Sequence, residues 1–419
     1  MNLKTFSKNI SYKKIFGIVV IVSFIMWLIA IIFDPESIQR DLFFKRMEDF
    51  WADATNTTGY AHNPNPYLDD STELRHVQYP PLAYVLFRFL AYAAGNVPAS
   101  YLDYFHNPLW TFLSAVTIII SLIITFTLII KKFGGSVTTD NVLVGIAICV
   151  SYPMLYALER ANIILLVMIA VMIFVFYYDS ESKVKKEIAL LSLAFAAGLK
   201  ITPAIFGLLL IYNKDWKAAI RTIIYGLLFF FVPFFFFDGG LEVIKGFFNN
   251  FGLNLELKAS VISLGINGIV KFYYGIAIRA LTGIYPDTFN ENLDIVVSIT
   301  KYTLTVIILI SGFFIKENWK KILNVSIILI IIPEVSVKYC LLYIIPFIII
   351  FLKDLENCQK GIGEKLILVS SILICFDYRF VTTSYVNRPD LGLLILLFMA
   401  TYYSVCSIIN FIKNKKSVS

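Results

Sequence analysis

The chain predicts an all-α polytopic membrane protein with about twelve transmembrane helices. Apolar runs recur along nearly its whole length, and several reach the roughly 18–20 residues needed to cross a bilayer. Hydrophobic residues make up 58% of the chain and charged ones 16%, far from the balance of a soluble domain. Lysines gather at the ends of the apolar runs and are sparse inside them. The net charge of +7 therefore reads as a topology signal, and nucleic acid is not an expected partner.

Taken in order, the first run, Ile15 to Phe33, is too long for a signal-peptide core and lacks a small-residue cleavage site, so it reads as a crossing helix. A large outer loop follows at 34–107, expected to carry amphipathic juxtamembrane helices. In "QRDLFFKRMEDFWADAT" (39–55), Phe43, Met47, Phe50, Trp51 and Ala54 form one apolar stripe if the stretch is helical. That is the pattern of a helix lying in the membrane interface. On this register Glu48, Asp49 and Asp53 are solvating charge, and Lys45 is an i+4 partner of Asp41. In "VQYPPLAYVLFRFLAYAAG" (77–95), two prolines set an extended turn before an amphipathic helix that carries Arg88 among aromatics.

Further spans are expected at 108–130, 142–158, 161–178, 187–200, 203–213, 217–237, 294–315, 322–333, 339–353, 365–376 and 391–412. A second outer loop region covers 238–293. The stretches 81–95 and 260–283 are apolar but interrupted, and are expected to stay outside without crossing. The basic groups at Lys4/Lys8/Lys13/Lys14, Lys131/Lys132, Lys183/Lys185/Lys186, Lys214/Lys217/Arg221, Lys316/Lys320/Lys321 and Lys413/Lys415/Lys416 then share one face. The positive-inside rule makes that face cytoplasmic, with both termini on it. Residues 1–419 read as a single integral membrane domain. The cysteines at 149, 340, 358, 375 and 406 are scattered without metal-type spacing and read as core residues.

The remaining polar features then collect on the outer face: "ERAN" (159–162), "GLKITP" (198–203), "PEVSVKY" (333–339) and "DYRF" (377–380). Short spans ending in charge point to a water-filled cavity opening outward. Lys200, at a hairpin tip, either snorkels to the interface or aims its charge at an anionic group. Arg160 is either neutralised by its neighbour Glu159 or does the same. His62, His76 and His106 are isolated, and no D-x-D pair or His/Asp/Glu cluster marks a metal site.

The order of these pieces resembles the C-type membrane glycosyltransferases, most closely glycosyltransferase family 87, the polyprenyl-phosphate-mannose type. The pieces are a first helix, an acidic loop, "YPPL", an Asn-bearing hairpin, "GLKITP" before "NKDWKAAIR", and "VSVKYCLLYIIP". The likeness covers roughly residues 10–355, through about five short motifs in order. It implies an Asp general base soon after the first helix: Asp41 at the head of "DLFF" matches, with Asp34 as the fallback. It implies that Tyr79, Pro80 and Pro81 shape the pocket and that Lys200 and Pro203 lie near a lipid phosphate. Many relatives have Gly-Gln before the hairpin Asn, where this chain has Arg160-Ala161-Asn162, and an arginine there suits a phosphate. A histidine common near "VSVKY" is replaced by Lys338, beside Tyr339.

The resemblance therefore implies an inverting membrane glycosyltransferase. It would move mannose or another hexose or pentose from a polyprenyl-phosphate donor to a cell-envelope glycan or glycolipid on the outer face. The donor is a substrate, so no cofactor is expected, and neither is a metal; the partners are donor, acceptor and membrane lipid. The chemistry needs a carboxylate to take the acceptor's proton and cations to receive the departing phosphate. The alternatives are a transporter or flippase of lipid-linked glycans and an O-antigen-type polymerase. No internal repeat favours the first, and the largest outer loop comes too early for the second.

Overall fold

The computed structural model describes residues 11–33, 50–68, 77, 79–95, 101–255, 263–283, 291–333, 336–356, 361–376 and 390–416. Every regular element among them is helical. In chain order these are α1 (Tyr12–Phe33), α2 (Ala52–His62), α3 (Pro81–Ala94), a 3₁₀ turn (Tyr101–His106), α4 (Pro108–Lys132), α5 (Thr139–Cys149), α6 (Tyr152–Arg160), α7 (Ile164–Tyr177) and α8 (Lys183–Leu199). There follow a 3₁₀ segment (Thr202–Gly207), α9 (Leu208–Tyr212), α10 (Trp216–Phe231) with a 3₁₀ extension (Val232–Phe236), α11 (Leu241–Leu255) and α12 (Ile266–Thr282). The last are α13 (Glu291–Ser311), α14 (Asn318–Ile331), a 3₁₀ segment (Lys338–Ile344), α15 (Ile345–Asp354), α16 (Ile362–Cys375) and α17 (Asp390–Lys416).

Five of these helices are long and apolar enough to span a membrane: Tyr12–Phe33, Pro108–Lys132, Trp216–Phe236, Asn292–Ser311 and Leu391–Lys415. A sixth results if α5 and α6, bent by 43° where they meet, act as one broken span. Their outward faces carry exposed aliphatics such as Ile25 and Ile29 on α1, Ile119 and Ile123 on α4, and Ile223 and Leu227 on α10. This is a membrane protein. Inside, α7 is buried almost all round; α15 packs against it and α14 against α15, in a core that runs from Phe16 to Ala400. Lipid is as apolar as leucine, so helix association relies on close packing and on interhelical hydrogen bonds. One such bond set joins α13, α14 and α17. Asn324 donates to the Ser311 and Ser404 hydroxyls, each at 3.0 Å, and those hydroxyls lie 2.8 Å apart.

Side-chain contacts define two ends. At one, Lys13 bonds Asn141 at 3.1 Å and Glu356 at 2.7 Å, and Lys132 reaches the Phe176 carbonyl at 3.0 Å. Lys186 pairs with Asp215, and Lys321 bonds Asn213 at 2.9 Å. This basic end gathers the starts of α1, α5, α8, α10 and α14 and the finishes of α4, α7, α9 and α15. At the opposite end sit α2, α3 and the turns that follow α6 and α8.

The first loop departs from the sequence reading. Residues 39–49 of the expected interfacial helix lie outside the described residues; Trp51 adopts a left-handed conformation (φ 57°), and α2 begins at Ala52. Its residues "ADATNTTGYAH" are almost entirely buried, so α2 is an internal plug and no interfacial helix. The threonines make this possible: Thr55 and Thr58 donate back to their own helix at 3.2 and 2.8 Å, and Thr58 accepts from the Trp110 indole at 3.1 Å. α3 does behave as an amphipathic helix, burying Ala83, Tyr84, Phe87 and Ala91 and exposing Phe89 and Tyr92. Arg88 clamps it in place, donating to the carbonyls of Ala61, Asn63 and Phe236 at 3.0, 2.6 and 2.6 Å.

Candidate active site

At the end opposite the lysine clusters, three elements meet around one carboxylate. Asp53, in the first turn of α2, accepts from Arg160 Nε and Nη2 at 3.1 and 2.7 Å through Oδ1. Its Oδ2 accepts from Asn162 Nδ2 at 2.6 Å. That amide also lies 3.1 Å from the Tyr79 hydroxyl, while Asn162 Oδ1 accepts from the Ile164 amide at 2.9 Å and so starts α7. Asn162 thereby fixes the carboxylate, the tyrosine and the helix start together. The main chain reinforces the junction, with the Trp51 amide donating to the Glu159 carbonyl at 2.8 Å. Trp51 and Ala161, which flank it, are two of the three described non-glycine residues with positive φ. Such conformations cost roughly 1–2 kcal/mol each and concentrate at functional sites.

A second group adjoins the first. Lys200 caps α8 in an extended conformation, brought close by Gly198, where a Cβ would meet Phe229 Cβ at 2.9 Å and Leu82 at 3.0 Å. Its ammonium stands 4.7 Å from the centroid of the Tyr339 ring and 5.8 Å from that of Tyr79. Lys338 opens the 3₁₀ segment, with its ammonium 5.8 and 5.7 Å from the Tyr152 and Tyr156 rings. The Tyr156 and Tyr339 rings are 6.3 Å apart, so the two lysines border one tyrosine wall. Neither lysine has a carboxylate partner among the described residues, whereas Arg160 is matched to Asp53. Burial, with the nearby Asp53 carboxylate, pushes the Tyr79 phenol well above its ordinary range and keeps it neutral.

The prolines act through the backbone. Pro80 and Pro81 open α3, where a missing N–H leaves nothing unsatisfied, and the Tyr79 carbonyl is held by the Tyr67 hydroxyl at 2.7 Å. Pro203 is buried in the 3₁₀ segment after Lys200, where Thr202 and Tyr343 exchange a hydrogen bond at 3.3 Å. Among the described residues, no three His, Cys, Asp or Glu side chains are grouped to hold a metal ion.

The comparison with known families matches residues 77–312 to the model of glycosyltransferase family 87. The chain belongs to glycosyltransferase family 87. No curated protein and no solved structure matches it. Membership makes the chain a membrane glycosyltransferase and decides against the transporter and polymerase readings. The matched stretch of the family 87 chain holds Tyr79, Pro80, Pro81, Arg160, Asn162, Lys200 and Pro203; Asp53 precedes it, and Lys338 and Tyr339 follow it.

Of the residues expected from sequence, Tyr79, Arg160, Asn162, Lys200, Lys338 and Tyr339 are brought together. Asp41 and Asp34 lie outside the described residues. Arg160, expected at a phosphate or neutralised by Glu159, is instead bound to a carboxylate from the first loop. Asp53 is the residue the sequence reading passed over. Its signal was the run of small residues around it, alanine, threonine and glycine, which suits close helix packing better than an interface.

Proposed function

We propose that this protein transfers mannose, or another hexose or pentose, from a polyprenyl-phosphate donor to a cell-envelope glycan or glycolipid, with inversion, and that Asp53 is the general base. The observation that carries the reading is the meeting of one fixed carboxylate with two lysines that lack acid partners among the described residues. Asp53 takes the proton from an acceptor hydroxyl as its oxygen attacks the anomeric carbon. The bond from that carbon to the phosphate oxygen breaks, and the phosphate leaves as an anion toward Lys200 and Lys338. Both Asp53 oxygens already accept hydrogen bonds, but a carboxylate has about four acceptor positions, so room remains for a substrate hydroxyl. Arg160 aims the carboxylate through its two hydrogen bonds, and is a positioning residue in this scheme. Tyr79, Asn162 and the turns at Pro80, Pro81 and Pro203 shape the pocket.

The same reading places the site on the outer face of a cell membrane, with about twelve crossings and both termini cytoplasmic. It is supported by the segregation of lysines to one end and of Asp53, Lys200 and Lys338 to the other. The shorter helices also alternate between those ends, and a broken or tilted segment buried in protein can serve as a crossing.

The test is transfer by protein reconstituted in lipid nanodiscs, from radiolabelled polyprenyl-phosphate mannose to membranes of a strain lacking the gene. Asp53→Asn keeps the shape and one acceptor oxygen for Arg160 but cannot take a proton, so transfer should fall about 10²–10⁴-fold while donor binding persists. Asp41→Asn and Asp34→Asn, made in parallel, should stay near wild type. Full transfer by Asp53→Asn together with a dead Asp41→Asn or Asp34→Asn would return the base to the first half of the loop.

A further inference from the structure

At the basic end, α8 and α10 start side by side and run in the same direction. Two ion pairs fix their register, Lys186 with Asp215 and Glu187 with Arg221, and the Tyr225 hydroxyl also donates to Glu187. Deeper in the bundle the Phe195 and Phe229 rings continue the same register, with centroids 5.8 Å apart. Each partner of the second pair has a lysine four residues before it, Lys183 on α8 and Lys217 on α10. Residues four apart share a helix face one turn apart. The register therefore brings these two ammoniums to one level, a turn nearer the end of the bundle than Glu187 and Arg221.

Nothing at that level neutralises them. Asp215 is taken by Lys186 and the Ala218 amide, and Glu187 by Arg221 and Tyr225. Among the described residues, neither Lys183 nor Lys217 meets a carboxylate. Arg221 makes matters worse for Lys217, since like charges four residues apart on a helix repel. Lys183, Lys217 and Arg221 share the seam with the single carboxylate Glu187, an excess of two positive charges. An anion between the lysines offsets it.

The seam faces hydrocarbon as well as charge. α10 belongs to a helix long and apolar enough to cross a membrane. One turn or so deeper than the ion pair, Leu191 on α8 and Ile224 and Leu228 on α10 stand outward. Trp216, beside Lys217, is 56% exposed, and indole rings of that kind settle where headgroups meet hydrocarbon. The occupant must therefore carry an anion at one end and hydrocarbon at the other. A soluble anion meets only the first requirement. A zwitterionic lipid brings its own ammonium and leaves the two positive charges unbalanced.

We infer that the seam between α8 and α10 binds an anionic diacyl phospholipid of the leaflet at the basic end. Its phosphate lies between Lys183 and Lys217, and an acyl chain runs along Leu191, Ile224 and Leu228. Basic pockets between membrane helices take anionic headgroups in this way. The site is separate from Asp53 and independent of the sugar-transfer reading.

The experiment uses the full chain in phosphatidylcholine nanodiscs and follows quenching of tryptophan fluorescence by phosphatidylglycerol brominated on its acyl chains. Trp216→Phe, measured in parallel, isolates the Trp216 share. Brominated phosphatidylglycerol should quench Trp216 at mole fractions about tenfold or more below those that brominated phosphatidylcholine needs. Lys183→Gln/Lys217→Gln should abolish that preference. Lys413→Gln/Lys415→Gln, which removes the same charge from the exposed end of α17, should retain it. Equal loss in the two double variants would mean general attraction to a basic surface and overturn the site, as would a wild type that does not prefer phosphatidylglycerol. Relief of the quenching by inorganic phosphate at constant ionic strength would reveal an anion site that needs no acyl chain, and would overturn the lipid assignment.

Discussion

Removing the Arg160 guanidinium should destabilise the protein, and most of that loss should vanish once Asp53 is already neutral. Two hydrogen bonds join the pair, at 2.7 and 3.1 Å, with side-chain exposures of 25% for Arg160 and 19% for Asp53. That exposure sets the magnitude between two limits. A solvated pair contributes about 0–1 kcal/mol, while stripping one partner from a fully buried pair costs about 3–5 kcal/mol. Arg160→Ala should therefore cost about 2 kcal/mol. At roughly 2 cal/mol/K per residue, 419 residues give a melting entropy near 0.9 kcal/mol/K, hence a drop of about 2 °C in Tm. Helices that persist in detergent lower the entropy and enlarge the shift, so this is the smaller bound. Asp53→Asn/Arg160→Ala should melt close to the worse of the two single variants, a coupling of about 1–2 kcal/mol. The assay is tryptophan fluorescence during heating in detergent at one fixed scan rate, which keeps irreversible unfolding comparable between variants. Strictly additive shifts would mean that the pair does not exist in the folded protein, and the site built around it would fall.

Two further outcomes follow from the same geometry. Lys200→Ala removes an ammonium that, among the described residues, faces the Tyr79 and Tyr339 rings and no carboxylate, and should raise the donor KM about ten- to a hundredfold, the value of a charge-assisted contact of roughly 1.5–3 kcal/mol, with acceptor KM little changed. At the basic end, Lys186 and the Ala218 amide both donate to Asp215 and hold its carboxyl below the usual range, so its contribution is present above the unfolded pKa of about 3.9 and is lost as pH falls through the lower folded value. Melting temperature measured from pH 6 down to pH 3 should drop more steeply for the wild type than for Asp215→Asn; parallel curves would show that the pairing adds no stability.

Hydropathy and lysine placement made much of the frame legible. The expected spans 15–33, 108–130, 217–237 and 391–412 fall on Tyr12–Phe33, Pro108–Lys132, Trp216–Phe236 and Leu391–Lys415. The Asn162 hairpin, the Lys200 turn and the Lys338–Tyr339 turn were also recognisable as polar interruptions, and they do converge. The partner of Arg160 was not legible. Glu159 is adjacent in sequence, but a helix points neighbouring side chains about 100° apart, and Arg160 reaches Asp53, 107 residues away. Asp53 was misread for a local reason. A helix extended unbroken from Phe43 puts Asp53 on the polar side, but the left-handed Trp51 ends that register, and α2 takes up its own. Nothing in the types Phe50-Trp51-Ala52 announces a positive φ, because it is imposed by tertiary contacts such as the Trp51 amide bond to Glu159.

The convergence has a physical cause. In a membrane, main chain that leaves the helix must be satisfied by the protein itself, so breaks gather where other breaks can serve them. Asp53 lies two residues past the turn at Trp51, and Asn162 one past the left-handed Ala161. Lys200 caps α8, and Lys338 starts a 3₁₀ segment. Each polar side chain of the candidate site thus sits at a helix end, where peptide groups are free to bond and the chain is free to aim a side chain off the helical lattice. The interruptions at the other end, near Lys132, Lys186 and Lys321, carry cations that bond carbonyls, carboxylates and amides of neighbouring helices. Alternate interruptions of the apolar pattern therefore divide the labour: one set anchors the bundle, and the other brings a carboxylate and two lysines to a single place. The first loop belongs to the second set. Among the described residues, that loop enters the bundle at α2, and there the first turn presents Asp53.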